Sequence, residues 1–90
     1  MNFETDIDAL KAFLNGDPDC EALSQNEYVA DLYDCEKPMT VDLILSDKAV
    51  EIVAAAYLEY DEEQDGWYMG ERIEDAETVK AAFEAAMKNA

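Results

Sequence analysis

Acidic residues run through this chain from one end to the other, and that spread limits what it can fold into. Of 90 residues, 23 are Asp or Glu against 6 Lys or Arg, and the formal net charge is −17. Residues 1–45 hold 11 acids and 2 bases, and residues 46–90 hold 12 acids and 4 bases. The excess is therefore not a detachable tail. It destabilises a compact state through self-repulsion, repels nucleic acid and anionic membranes, and attracts basic proteins and cations. Yet half of the residues are apolar, which is too many for a disordered acidic segment. One globular domain spanning residues 1–90 is expected, burying roughly 60% of the surface its unfolded chain exposes.

The apolar residues are patterned. Ile7, Leu10 and Leu14 share one helical face, Thr5 stands as a cap, and Asn15-Gly16 is a stop signal. A helix is expected over about residues 6–15. Asp17-Pro18 restarts the chain, and Ser24 to Glu27 has capping-box spacing. One kinked helix or two short ones are expected over 18–34. Val41, Leu43 and Leu45 alternate as in a strand over 39–45, with Ser46 capping an Ala-rich helix over 47–59. A single helix over 40–60 is the alternative. Asp61 to Gly66 is a turn, residues 67–73 have strand composition, and Asp75 caps a last helix over 76–89. The expected class is α+β and mostly helical, with about four helices and a small two- or three-stranded antiparallel sheet; the alternative is all-α.

Catalytic patterns are missing. The chain has no His, a single Arg, and three scattered glycines that form no phosphate loop. Cys20 and Cys35 make no zinc pattern, and acidic surroundings raise a thiol pKa. They are expected as reduced thiols. The turn matches half of a calcium-binding loop, with Asp61, Glu63, Asp65 and Gly66 in place. Arg72 stands where the bidentate Glu belongs, so a solvated turn is expected. No enzyme, cofactor or metal is expected. Nothing approaches the ~18–20 apolar residues of a membrane span, and the N-terminus has no signal-peptide character. The expected location is the cytoplasm, that of the host cell for a phage-encoded protein.

Two acidic groups are the candidate partner-binding residues. On the expected second helix, Glu27, Asp31 and Asp34 fall at i, i+4 and i+7 without a compensating base, unlike the Glu77–Lys80 and Glu84–Lys88 pairs of the last helix. The second group is the turn, where Asp61, Glu62, Glu63 and Asp65 adjoin Tyr57, Tyr60, Trp67 and Tyr68. Trp67 and Tyr68 are the expected anchors, since partner Lys and Arg pair with carboxylates and lie on aromatic faces.

Small size, high acidity and the missing catalytic patterns resemble the phage and plasmid inhibitors of host defence nucleases, including anti-CRISPR and anti-restriction proteins. The resemblance is one of composition and size, without a shared motif. It implies a non-enzymatic mimic of nucleic acid that engages a basic nucleic-acid-binding protein or complex, as a monomer or small homo-oligomer, and binds no nucleic acid itself. The acidic turn, Trp-Tyr pair and capped helix of Glu62–Glu84 resemble the hairpin-then-helix of the HicB antitoxins. That likeness covers under a third of the chain, and the expected helical N-terminal half departs from the family. An antitoxin or immunity protein neutralising a basic nuclease is the alternative reading, and a housekeeping adaptor is a third. Reversing Asp31 and Asp34 to Lys together is expected mainly to slow association with a basic partner. Rapid-mixing kinetics check this, and an unchanged association rate removes that stripe from the contact.

Overall fold

The computed structural model describes residues 2–3, 6–16, 19–33 and 36–89, with side chains described for 6–16, 19–33 and 36–88. Among these residues it has six strands and two helices. They are β1 (Asn2–Phe3), α1 (Ile7–Gly16), β2 (Cys20–Ala22), β3 (Glu27–Leu32), β4 (Met39–Leu45), β5 (Val50–Asp61), β6 (Gly66–Arg72) and α2 (Ala76–Asn89).

Strict alternation builds the centre of the sheet. Tyr28, Ala30 and Leu32 of β3 are buried and lie opposite Leu43, Val41 and Met39 of β4. Directly paired residues share a face, so these six form one apolar surface. The residues between them point the other way. The connections are local: β2 to β6 form an antiparallel meander, and β1 pairs the start of β5. The β4–β5 turn is closed by Ser46, whose Oγ accepts from Ala49 N at 3.0 Å and whose own N donates to Ala49 O at 3.0 Å. Ser46 does cap, but it caps a hairpin turn.

Two bulges interrupt the ladder. Ile52 lies opposite Leu43 and Ala54 opposite Asp42, which leaves Val53 as an extra residue in β5. Val50 and Ile52 face the core before this bulge, and Ala55 and Tyr57 face it afterwards. In β6, Gly70 and Glu71 lie between the pairs Ala56–Arg72 and Leu58–Met69. Bulges of this kind sharpen twist and re-aim side chains.

Both helices cover the same face. Asp6 caps α1, its Oδ1 accepting from Ala9 N at 3.2 Å, and Leu10 and Leu14 enter the core. Asp75 caps α2, accepting from Glu77 N and from Thr78 Oγ1, each at 3.0 Å. Val79, Ala82, Phe83 and Ala86 make its buried stripe. Phe13 and Phe83 meet edge to face, with centroids 6.5 Å apart. Helices, β3, β4 and β5 thus share one apolar cluster, while among the described residues neither helix covers the opposite face of the sheet, which is left open.

The mostly helical expectation is overturned: two helices stand beside a large antiparallel sheet. Residues 20–32 are a hairpin and 50–61 a strand. Local spacing misleads here because Glu27 and Asp31 are an even number apart, which suits a strand as well as a helix. Ala54 to Ala56 favour helix intrinsically, but burial against β4 and β6 outweighs that preference. The turn, the strand after it, and the first and last helices lie where the spacing predicts. Thr5, Asp17 and Pro18 lie outside the described residues.

Phe83 is buried at the junction of the two helices. Phe83→Ala is expected to cost about 3–5 kcal/mol, a large part of the ~5–15 kcal/mol available to a small domain. Urea unfolding followed by circular dichroism measures this; a loss below 1 kcal/mol, a value far under the usual range for such a truncation, contradicts the packing. Self-repulsion is checked separately. Raising salt from ~0.01 to ~0.15 M shortens the screening length from about 30 to about 8 Å and is expected to raise Tm; a Tm that stays flat or falls removes repulsion as a main cost.

Candidate functional site: the open face of the sheet

The register places a particular set of side chains on the open face. Glu27 lies across from Ile44, and Ile44 across from Glu51. Glu21 pairs Val29, which pairs Asp42. Asp31 pairs Thr40, then Ala56, then Arg72. This face therefore presents Glu21, Glu27, Asp31, Asp42 and Glu51. Arg72 is the one base carried by any strand among the described residues: Lys11, Lys80 and Lys88 are on helices, and Lys37 and Lys48 are in connections. Charge is thus segregated. The other cations sit on the helices and in the connections, so the open sheet face carries five carboxylates against Arg72 alone.

Glu27 and Asp31 belong to this face, but not as a helical stripe. On a strand they stand about 13 Å apart instead of the ~5–6 Å of a helix. That separation exceeds the ~8 Å screening length at physiological salt, so the like-charge repulsion that neighbouring positions on a helix would bring does not arise. Asp34 lies outside the described residues. Glu21, Asp42 and Glu51 were not singled out by helical spacing; reading residues 27–33 with a period of two finds the right face.

Aromatic groups gather at one end of the same face. Trp67 stands between two tyrosines, with centroids 5.6 Å from Tyr33 and 5.3 Å from Tyr60 and rings inclined by 57° and 63°. Tyr33 continues the outward alternation of β3, and Tyr60 and Trp67 are a cross-strand pair. All three are exposed, by 38%, 46% and 48% for Tyr33, Tyr60 and Trp67, and neighbouring Met69 by 69%. Beside them lies a hollow floored by Thr40, Ala54 and Ala56 and walled by Asp42, Met69 and Arg72. Small side chains on the sheet make that hollow.

Tyr68 does not join the cluster. Successive strand residues point to opposite faces, so Tyr68 pairs Glu59 on the other side. Tyr57 also faces the helical side and packs against the core, with Lys37 Nζ 5.3 Å from its ring centroid. The four aromatics that adjoin the acidic turn in sequence are therefore split two and two by the pleat.

The turn itself is built from its own acids. Asp61 Oδ1 accepts from Glu63 N at 2.9 Å, and the Tyr60 hydroxyl donates to Asp65. Asp65 has φ of 51°, a left-handed conformation that Asp tolerates better than most residues. Glu62, Glu63 and Asp65 are exposed and Asp61 is half-buried. Among the described residues no group of three or more His, Cys, Asp or Glu could hold a metal ion. Cys20 is half-buried against the core, and Cys35 lies outside the described residues. Among the described residues, no helix is long and apolar enough to cross a membrane.

Three tyrosines, Tyr33, Tyr60 and Tyr68, hold their protons more tightly than a free tyrosine does. Burial, then the charges of Asp31 and Asp19, push Tyr33 above its ordinary value of 10.0. The hydrogen bond to Asp65 is the main cause for Tyr60, and the charge of Glu59 for Tyr68. At neutral pH these hydroxyls are donors.

No family model matches the chain, and neither a curated protein nor a solved structure matches it. The HicB likeness over Glu62–Glu84 accordingly carries no argument.

Phenolate absorbance is expected to show Tyr33, Tyr60 and Tyr68 ionising later than free tyrosine. A proton held more tightly when folded stabilises the fold below pH 10 and ceases to do so as pH rises through the raised values. Asp65→Asn is expected to return one tyrosine toward ordinary behaviour. If the titration of the variant overlays that of the parent, the Tyr60–Asp65 bond is absent in solution.

Proposed function

We propose that this is a non-enzymatic acidic binding protein whose open sheet face engages the basic surface of a nucleic-acid-binding protein, acting as a mimic of nucleic acid. The observation that carries the reading is the charge segregation. Five carboxylates stand on one face of the sheet, and Arg72, which shares that face, is the one base on any strand among the described residues. A surface that binds phosphates presents Lys and Arg and favours any dense negative field. Carboxylates fixed on a sheet supply such a field without a scissile backbone or base edges. Backbone pairing has already ordered the strands that carry them, which lowers the entropy lost on binding.

The exposed aromatic end supports the same reading. Carboxylates alone give steering and salt-sensitive attraction. Trp and Tyr supply the desolvated anchors that protein interfaces favour. The reading carries a compartment with it: the cytoplasm, where nucleic-acid-binding machinery is met.

The test is capture from nuclease-treated bacterial lysate, with elution by salt and identification by mass spectrometry. One nucleic-acid-binding complex is expected, released by added DNA or RNA. A variant with Glu27→Gln, Asp31→Asn, Asp42→Asn and Glu51→Gln is expected to lose it. Glu77→Gln with Glu84→Gln, on the helical side, is expected to keep it. Recovery only of abundant basic proteins in proportion to their abundance, or equal loss in both variants, overturns the reading.

A further inference from the structure

β5 is longer than the sheet that holds it. Twelve residues at the usual strand rise extend about 40 Å, close to the 43 Å long axis of the molecule, whose other extents are 25 Å. β4 has 7 residues and ends its pairing with β5 at Met39–Tyr57; one further bond runs from Leu58 N to Pro38 O at 2.8 Å. Beyond that point β5 pairs with β6 alone. The tip of the β5–β6 hairpin, about residues 59–68, is therefore a two-stranded arm that projects from the body.

An isolated two-stranded hairpin is marginal in water. This one is braced by the Tyr60–Trp67 pair, the Tyr60–Asp65 bond and the Asp61 turn, with Tyr33, just past the end of β3, against Trp67. The bracing leaves the indole exposed instead of buried. Acids act on both neighbouring tyrosines: Asp65 accepts from the Tyr60 hydroxyl, and the charges of Asp31 and Asp19 bear on Tyr33.

We infer that this arm is the docking element, and that Trp67, Tyr60 and Tyr33 receive an arginine side chain from the partner. The inference rests on the proposed function and deepens it. A guanidinium is planar, stacks on aromatic faces and pairs with carboxylates by parallel hydrogen bonds. A lysine ammonium is a compact, strongly hydrated point charge. The juxtaposition of indole, tyrosine rings and these carboxylates suits the first better. A second copy of this chain is disfavoured as occupant, because each copy carries a net charge of −17.

Trp67 is the chain's single tryptophan, so its fluorescence reports on the site directly. The probes are oligoarginine and oligolysine peptides of equal length, titrated into the full chain, with calorimetry for variants that lack the indole. Oligoarginine is expected to change Trp67 emission saturably and to bind more tightly than oligolysine. Trp67→Ala is expected to weaken oligoarginine about tenfold, the scale of a lost cation–π contact. Trp67→Phe, which keeps an aromatic face, is expected to lose less. Circular dichroism confirms that each variant is folded, and Tyr33→Leu gives an independent variant on the body of the sheet. Equal binding of both peptides, unaffected by Trp67→Ala or Tyr33→Leu, overturns the inference. So does a self-association in sedimentation that Trp67→Ala abolishes, since a second copy then fills the site. Capture of the lysate partner that survives Trp67→Ala but fails in the four-carboxylate variant overturns the arm alone and leaves the proposed function standing.

Discussion

The structure depends on one requirement: its many carboxylates must all stay in water. An ionised group taken into an apolar interior without a partner costs more than a small domain can supply. Among the described residues every buried one is apolar. A sheet satisfies this requirement economically, because alternation sends each second residue to the other side. Covering one side with two helices buries the apolar set and leaves Glu21, Glu27, Asp31, Asp42 and Glu51 on the other. The same act of burial that makes the core makes the negative face.

The bulges decide where that face leads. Without the extra residue at Val53, the second half of β5 presents Ala55 and Tyr57 outward and carries Ala54 and Ala56 inward. With it, Tyr57 reaches the core and the alanines floor the hollow on the open face. The phase carries on along β5, so Tyr60 emerges beside Tyr33 and meets Trp67 across the hairpin. The aromatic end of the site is therefore a consequence of ladder irregularity some distance away.

Charge and shape divide the proposed work between them. The carboxylates on the sheet are spaced several ångströms apart, so they act as a field more than as individual contacts and respond to ionic strength. The aromatic arm is local and directional. A binding protein with only the first feature is general in its attraction. The second adds a position where a particular side chain of the partner fits.

How much of this was legible in the chain depends on the residue. The acidity and the missing catalytic patterns are properties of composition. The capped helices at either end, β4, and the turn at Asp61 to Gly66 are local, each carried by short-range spacing and a cap or turn residue. β3 and β5 are different. Glu27 and Asp31, and likewise Tyr28 and Leu32, are four apart, a separation common to both periods. The bulge breaks the alternation of β5 so that its buried positions Ile52 and Ala55 fall three apart, as on a helix. Only pairing with β4 distinguishes the two, and pairing is not local. The sequence by itself determined that the chain is acidic throughout, apolar enough to fold, and punctuated at Gly16, Ser46, Asp65 and Asp75. Tertiary structure decided which carboxylates share a face, which aromatics stay outside, and that Trp67 and Tyr68 part company, because strand register and bulges are set by burial against neighbours that lie far away along the chain.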